Sequence, residues 1–369
     1  MTIKVFRIAI KLFRWMSNKQ NTLVILTPGF AGSEADSTCL PMQQQFIKTL
    51  KKVYPHLNIV ILSFQYPYHQ QCYQWFEASV IPFNGRNKGG LSRLLLRQKV
   101  YASLKKINSS NNIIGLLSFW CAECALVGKR FADKNGLKHY CWILGQDARK
   151  ENKYPQRVFS KGEELIALSD FLQEQFEKSH GIKPLIVIPP GIDVMPISLE
   201  KDIDLLAAGS LIPLKNYHVF IEAVAEIRKI KSTVKAILIG EGPEKKELQA
   251  LIAKLGLEEN VSLTGELPHD EVLQLMQRSK LFLHPSSYEG FSGVCLEALS
   301  CGAHVISFCK AMNQQIEQWH IVKTKEEMQD KAIKILSNNN ISYKSIVPFA
   351  MENTVKKMMK LYCKQTSIS

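Results

Sequence analysis

The chain has 369 residues, 46% hydrophobic and 22% charged, with 20 Gly and 15 Pro. That is too long for one core, fits two domains of roughly 100–200 residues, and excludes collagen-like, disulfide-scaffold and largely disordered classes. Lys and Arg outnumber Asp and Glu by 47 to 33, a formal charge of +14, which favours phosphate-bearing partners, although a basic surface with no charged partner has the same balance.

The chain opens on Lys4, Arg7, Lys11 and Arg14, which at 100° per residue fall within an arc of about 80°. Phe6, Ile10, Phe13 and Met16 lie opposite. The spacing predicts a basic amphipathic helix within residues 1–20, suited to an anionic membrane surface through residues 1–18. A helix packed on its own domain would read the same way. The stretch 53–76 carries no charge, but Pro55, His56, Asn58, Gln65, Pro67 and His69 break any spanning band. Nine cysteines and no leader with a cleavage site point to free thiols in a reducing cytoplasm.

Short continuous apolar runs then alternate with helical stretches. Leu23–Leu26, Ile59–Ser63, Ile113–Leu117, Tyr140–Leu144, Leu165–Ser169 and Ile186–Ile188 form a first series. Leu205–Ala208, Ala236–Ile239, Val261–Leu263, Leu281–Leu283 and Val305–Ser307 form a second. Continuous rather than alternating runs predict parallel strands covered on both faces. Met42–Lys52, Tyr217–Lys229, Pro243–Leu255 and His269–Arg278 supply helices between them. The fold class is therefore α/β, with two doubly wound Rossmann-like domains facing a cleft. Pro189-Pro190-Gly191 separates the series, so the first domain is placed at 21–192 and the second at 193–349. In such sheets ligands bind beyond the carboxyl ends of the strands.

Three loops of the first domain fall at such ends or near them. Thr27 to Glu34 is a glycine-containing turn, indistinguishable by itself from an ordinary βα turn. Arg86, Lys88, Arg93, Arg97 and Lys99 surround Gly85, Gly89 and Gly90 as a flexible basic loop, either a phosphate receiver or a solvated face. Asp147 follows the strand Tyr140–Leu144 and would reach the cleft.

The most informative stretch runs from His284 to Gly302. It follows a strand and opens a helix near Ser292, whose first amides, those of Ser292, Gly293 and Val294, would be unpaired donors at the positive helix end. Glu289 precedes that helix and Glu297 lies within it, five residues after Ser292 or roughly 7 Å along the axis. Two carboxylates so placed suit hydroxyl groups on either side of a diphosphate, yet a capped helix with two surface glutamates has the same spacing.

Glu289-x7-Glu297, set in Pro-Ser-x-x-Glu-Gly-Phe and followed by Leu-Glu-Ala-Leu-x-x-Gly, resembles the signature of family 4 of the retaining glycosyltransferases, which have the GT-B fold. Val187 to Asp193, Ala207 to Asn216, Ile239 to Pro243 and Leu263 to Gly265 are similar to further motifs of that family, in the same order. The resemblance implies that Glu297 binds the donor ribose and that Glu289 contacts the transferred sugar. It places the amides of Phe291, Ser292, Gly293 and Val294 against sugar and diphosphate. Lys215 neutralises the leaving diphosphate. Ser210 stands on the donor side where the family carries an Arg, and His304 replaces a usual Pro. Gly32 would lie against the donor phosphates, and Asp147 would contact acceptor or donor sugar.

The implied activity is transfer of a sugar from a nucleotide-diphosphate sugar to a glycan or lipid-linked acceptor, in cell-surface polysaccharide assembly. No enzymic nucleophile and no obligatory metal are expected, and the leaving phosphate assists deprotonation of the acceptor. The implied setting is cytoplasmic, peripheral on the inner face of the membrane, with no nucleic acid partner. The C-terminal stretch 350–369, helical over Val355–Cys363, would cross back to the first domain. Two other readings exist: a non-catalytic sugar-nucleotide-binding protein, and a thiol redox protein using Cys121 and Cys124, which lacks the usual residues between its cysteines. Asp202 and Asp204 spell a D-x-D but begin a strand, the wrong end for a metal-bound donor.

Overall fold

The computed structural model describes residues 19–195 and 200–363. All but the end of the basic N-terminal segment therefore lies outside the described residues. The chain forms two compact units, one taking in the chain up to Ala167, Gln175–Ile188 and the chain from Val355, the other Leu168–Glu174 and Pro189–Thr354. The units thus part just before the proline pair, four residues ahead of the boundary read from the sequence.

In chain order the first unit has β1 (Asn21–Gly29), α1 (Pro41–Val53), β2 (Asn58–Tyr66), β3 (Tyr73–Trp75), β4 (Ala78–Pro82), α2 (Gly90–Ser110), β5 (Asn112–Phe119), α3 (Glu123–Asn135), β6 (His139–Ile143), α4 (Tyr154–Val158) and β7 (Leu165–Ala167). Helix α5 (Asp170–His180) begins in the second unit and ends in the first, before β8 (Ile186–Val187). The sheet order is β3-β4-β2-β1-β5-β6-β7-β8, parallel except for β3 against β4. Leu23 to Leu26 in β1 are wholly buried, as a central strand covered on both faces requires.

The second unit has β9 (Ile203–Ala208), α6 (Tyr217–Arg228), β10 (Ala236–Ile239), α7 (Lys245–Lys254), β11 (Val261–Gly265), α8 (His269–Arg278), β12 (Ser279–His284), α9 (Gly293–Ser300), β13 (His304–Ser307), β14 (Trp319–Ile321) and α10 (Lys325–Leu336), while α11 (Met351–Lys360) begins in the second unit and belongs to the first from Val355 onward. Its sheet is parallel throughout, in the order β11-β10-β9-β12-β13-β14. Phe220, Val224, Leu238 and Leu281 meet in one buried core. Truncating the wholly buried Leu281 to Ala would cost about 2–5 kcal/mol.

Two sequence expectations change, and the β3–β4 hairpin and edge strand β14 were not read from the sequence. The stretch from Arg86 to Lys99 is only partly a loop: from Gly90 it is the start of a 21-residue helix, and Arg93 and Arg97 pair with Glu123 at 3.5 and 2.9 Å. The β3–β4 hairpin went unread because its tight turn is Phe76-Glu77, both at positive φ (40° and 64°), where Asn-Gly would be the usual signal. Edge strand β14 is only three residues long. Ser169 is not strand: β7 ends at Ala167, and the Ser169 hydroxyl donates to Gly290 O and accepts from Leu172 N at 3.0 Å. Among the described residues no helix is long and apolar enough to cross a membrane.

Candidate active site

In the second sheet the connections run outward from β9 to β11, then return to β12 beside β9. That reversal is a switch point, where the loops leaving two neighbouring strands diverge and leave a crevice. The loop after β9 carries Ser210 and Lys215, and the loop after β12 carries Glu289 and Phe291.

Backbone bonds fix the first of these loops. Gly209 N donates to Ile239 O at 3.0 Å, Leu211 N to Glu241 O at 2.8 Å and Gly240 N to Gly265 O at 2.9 Å. Gly240 has φ 147°, and a Cβ there would lie 1.9 Å from Gly209 O, so only glycine lets these loops approach. A single 3-10 turn, Pro213–Lys215, ends on left-handed Asn216, whose amide Nδ2 donates to Pro285 O at 3.1 Å. Ser287 N donates to Leu214 O at 3.0 Å. The two loops are thereby stitched together, and Lys215 is set against Glu289.

Glu289 is ion-paired with the Lys215 ammonium. Its Oε1 also accepts from Ser286 Oγ at 3.2 Å and lies 3.3 Å from His284 Nε2. Burial alone would raise its pKa, but the His284 ring and the Lys215 charge hold it down, at about 2. His284 is 1% exposed, and burial lowers its own pKa, so the ring is neutral near pH 7. Its Nε2, buried with no other polar partner among the described residues, points to the Glu289 carboxylate. Tyr217 adds a buried hydroxyl with no partner among the described residues.

Helix α9 starts as its residues suggest. Ser292 is extended (φ −84°, ψ 98°), and Gly293 and Val294 supply the first amides, which no α-helix satisfies internally. Space above Gly293 is open, since a Cβ there meets nothing within 4 Å. Phe291 is buried, edge-on to Trp319 and Phe349 at 6.1 and 6.0 Å, and so anchors this turn from below. One turn on, Glu297 Oε1 lies 2.9 Å from Nε2 of His269, the first residue of α8. His269 and His284 were missed by sequence reading, since each stands alone at a strand or helix end without a spacing pattern. Ser210 is exposed at the end of β9 and brings no charge.

The first unit treats its expected residues differently. The Gly32 amide is not open: it donates to Asp36 Oδ2 at 2.9 Å, which also accepts from Tyr66 Oη at 3.1 Å. Asp147, expected to contact acceptor or donor sugar, is a buried loop fastener whose carboxylate is turned onto backbone amides. It is 3% exposed, and its Oδ2 accepts from Cys121 N at 2.9 Å and Leu144 N at 2.8 Å. Burial pushes its pKa up to about 7, against those two hydrogen bonds. Cys121 and Cys124 are both free and buried, and burial pushes the Cys124 thiol well up, the reverse of a reactive redox thiol. Asp202 is bound by Arg278, and Asp204 by Lys231 and Lys280 at 2.7 and 2.8 Å, so the D-x-D is an ion-pair cluster.

With this geometry in place, residues 196–351 match the family described as glycosyl transferases group 1. The second unit is of the group 1 glycosyltransferase type. The gpi3 subunit of phosphatidylinositol N-acetylglucosaminyltransferase from Schizosaccharomyces pombe is 26% identical over 203 residues, 52% of this chain and 44% of that one. The N-acetylgalactosamine-N,N'-diacetylbacillosaminyl-diphospho-undecaprenol 4-alpha-N-acetylgalactosaminyltransferase of Campylobacter jejuni is 38% identical over 106 residues, 29% and 28% of the two chains. The chain spans about half the length, 44% and 48%, of two of the curated relatives it matches. Among solved structures, Anabaena HepE in complex with UDP and glucose is 18% identical with TM-score 0.67, covering 93% of this chain and 99% of that one. Sucrose-phosphate synthase from Thermosynechococcus elongatus is 14% identical with TM-score 0.70, covering 93% and 98%. These neighbours and the two largely parallel sheets give the fold: two Rossmann-like units of the GT-B type.

Proposed function

We propose that this protein is a family 4 retaining glycosyltransferase that moves a hexosyl group from a nucleotide-diphosphate sugar to a glycan or lipid-linked acceptor. The observation that carries the reading is the Glu289–Lys215 pair at the β9/β12 switch point, beside the open amides of α9. Lys215 divides its charge between Glu289 and the departing diphosphate, whose negative charge grows as the glycosidic bond breaks. The Gly293 and Val294 amides face the same anion at a helix N-terminus. Glu297 accepts from the ribose hydroxyls, oriented by His269, and Glu289 holds the sugar. The leaving phosphate takes the acceptor proton on the same face. The D-x-D carboxylates are paired to cations, and no obligatory divalent metal is part of the proposed reaction. HepE, a neighbour in fold, is known in complex with UDP and glucose, which supports a sugar nucleotide as the partner.

The setting we propose is cell-surface polysaccharide assembly in the cytoplasm, peripheral on the inner membrane face, with residues 1–18 as one attachment. Ser210 in place of Arg favours a second reading, a GT-B protein that binds sugar nucleotides without transfer. Calorimetry against UDP, GDP and ADP, and then their sugar conjugates, tests the donor. Product anomeric configuration, read by NMR, tests retention. Binding without turnover of any conjugate would favour the second reading, and no binding of any nucleotide would remove both.

A further inference from the structure

Helix α2 is apolar on two sides. Leu96, Val100, Leu104 and Ile107 face the core of the first unit. Leu91, Leu94 and Leu95 face outward, 80%, 50% and 56% exposed. Nothing in helix propensity calls for three outward leucines, since Lys, Gln or Glu would serve as well there. Contiguous exposed leucines mark a contact surface.

Leu94 continues into a groove between α2 and α3 with a volume of about 460 Å³, also lined by Leu126 and Val127. Lys105, Arg130 and Lys134 stand along the same groove. Helix α2 carries five cations (Arg93, Arg97, Lys99, Lys105 and Lys106) and no carboxylate. On α3, Glu123 is taken by Arg93 and Arg97, and Asp133 by Lys129. Lys105, Arg130 and Lys134 therefore have no carboxylate partner among the described residues.

We infer that the α2–α3 groove is where the first unit binds the surface of an anionic bilayer. The outward leucines enter the acyl boundary, and the three cations meet lipid phosphates. Charge complementarity selects this occupant: the patch is uniformly cationic, and lysines are depleted at the centre of protein–protein contacts, whereas both lysine and leucine suit an anionic interface. The inference uses neither the transferase reading nor the N-terminal segment.

Hydrogen exchange of the full chain, with phosphatidylcholine vesicles lacking or containing phosphatidylglycerol, tests it. Peptides covering residues 91–105 and 126–134 are expected to slow on the anionic vesicles alone. In flotation, Lys105→Glu, Arg130→Glu and Lys134→Glu should each weaken partitioning about fivefold at low salt. The combined Leu91→Ser, Leu94→Ser and Leu95→Ser variant should lose the local protection while keeping its circular dichroism and its nucleotide affinity. Unslowed exchange in α2 and α3 on anionic vesicles would overturn the inference. So would slowing that survives the leucine and charge variants, or slowing by soluble polyglutamate and not by vesicles. Nucleotide affinity, read on the same samples, separates this outcome from failure of the donor site.

Discussion

Lys215 and Glu289 lie 74 positions apart, yet their side chains form an ion pair. They leave neighbouring parallel strands, and the loops that carry them are tied by Asn216 Nδ2 to Pro285 O and by Ser287 N to Leu214 O. The pair is therefore set by backbone geometry rather than by chance meeting of long side chains. Such a half-buried, multiply bonded carboxylate stays ionised over the whole working range of pH.

Replacing Lys215 with Ala should lower turnover by about a hundredfold or more, the scale for losing one charged donor to a leaving anion, and should weaken nucleotide affinity. Glu289→Ala should abolish transfer and leave nucleotide affinity largely intact. Acid stability gives a check that needs no substrate. The folded pKa of Glu289 is depressed from 4.5 to about 2, so its contribution is present above pH 4.5 and lost as the pH falls toward 2. Thermal melts of Glu289→Gln should show a shallower acid limb than wild type, and equal limbs would mean that the pair does not form.

The architecture was largely legible because buried parallel strands write themselves as runs such as Leu23 to Leu26 and Leu281 to Leu283, and Gly209 and Gly240 sit where loops must touch. The pairing of Lys215 with Glu289 was not legible, because it depends on β9 and β12 lying side by side, which strands so far apart in sequence do not announce. Asp147 misled because a carboxylate after a strand looks the same whether it points outward or turns back onto Cys121 N and Leu144 N. Gly32 misled similarly, since Asp36 four residues on fills its amide. Arg93 and Arg97 looked like loop cations because two glycines precede them, and their partner Glu123 lies in another helix.

Asp147 should impose a pH dependence of opposite sign. Its folded pKa is raised from 3.8 to about 7, so the fold favours the protonated carboxyl. Its contribution is full below pH 3.8, declines as the pH rises to about 7 and is flat beyond. Asp147→Asn keeps an acceptor for both amides without the charge. Above neutrality the first unit should melt higher than in wild type, by roughly 2–4 °C for each kcal/mol of burial cost relieved in a unit of roughly 150–250 residues. A variant that melts lower would show that the charged form is the one held by the loop.

His304 and His320 stack at 5.5 Å with 7° between their rings, and Nδ1 of the first lies 3.2 Å from Nε2 of the second. Burial depresses both, His320 to about 4, with Lys331 adding to the effect on His320 and Lys201 to that on His304, where Ser342 O and Glu317 oppose it. The fold thus favours neutral rings, and stability present above pH 6.5 falls as the pH drops toward 4. His320→Gln should flatten that decline in melts recorded on an Asp147→Asn background, where the opposing titration is removed. A decline of undiminished slope would assign the titration to other groups.

Ser210 offers the sharpest test of where the diphosphate sits. It is exposed, it follows Gly209 at the end of β9, and it lies on the same loop as Lys215, so a longer side chain there meets no core. Ser210→Arg adds a guanidinium beside the anion expected between Lys215 and the first amides of α9. One added charge-assisted hydrogen bond is worth about 1.5 kcal/mol, or roughly tenfold in affinity. Calorimetry should show UDP or GDP binding tightened by about that factor, with the gain shrinking as salt rises. The nucleoside, lacking phosphates, should bind both forms equally. If the nucleotide also binds both forms equally, the diphosphate does not lie against this loop, and the roles given to Lys215 and Glu289 fall with it.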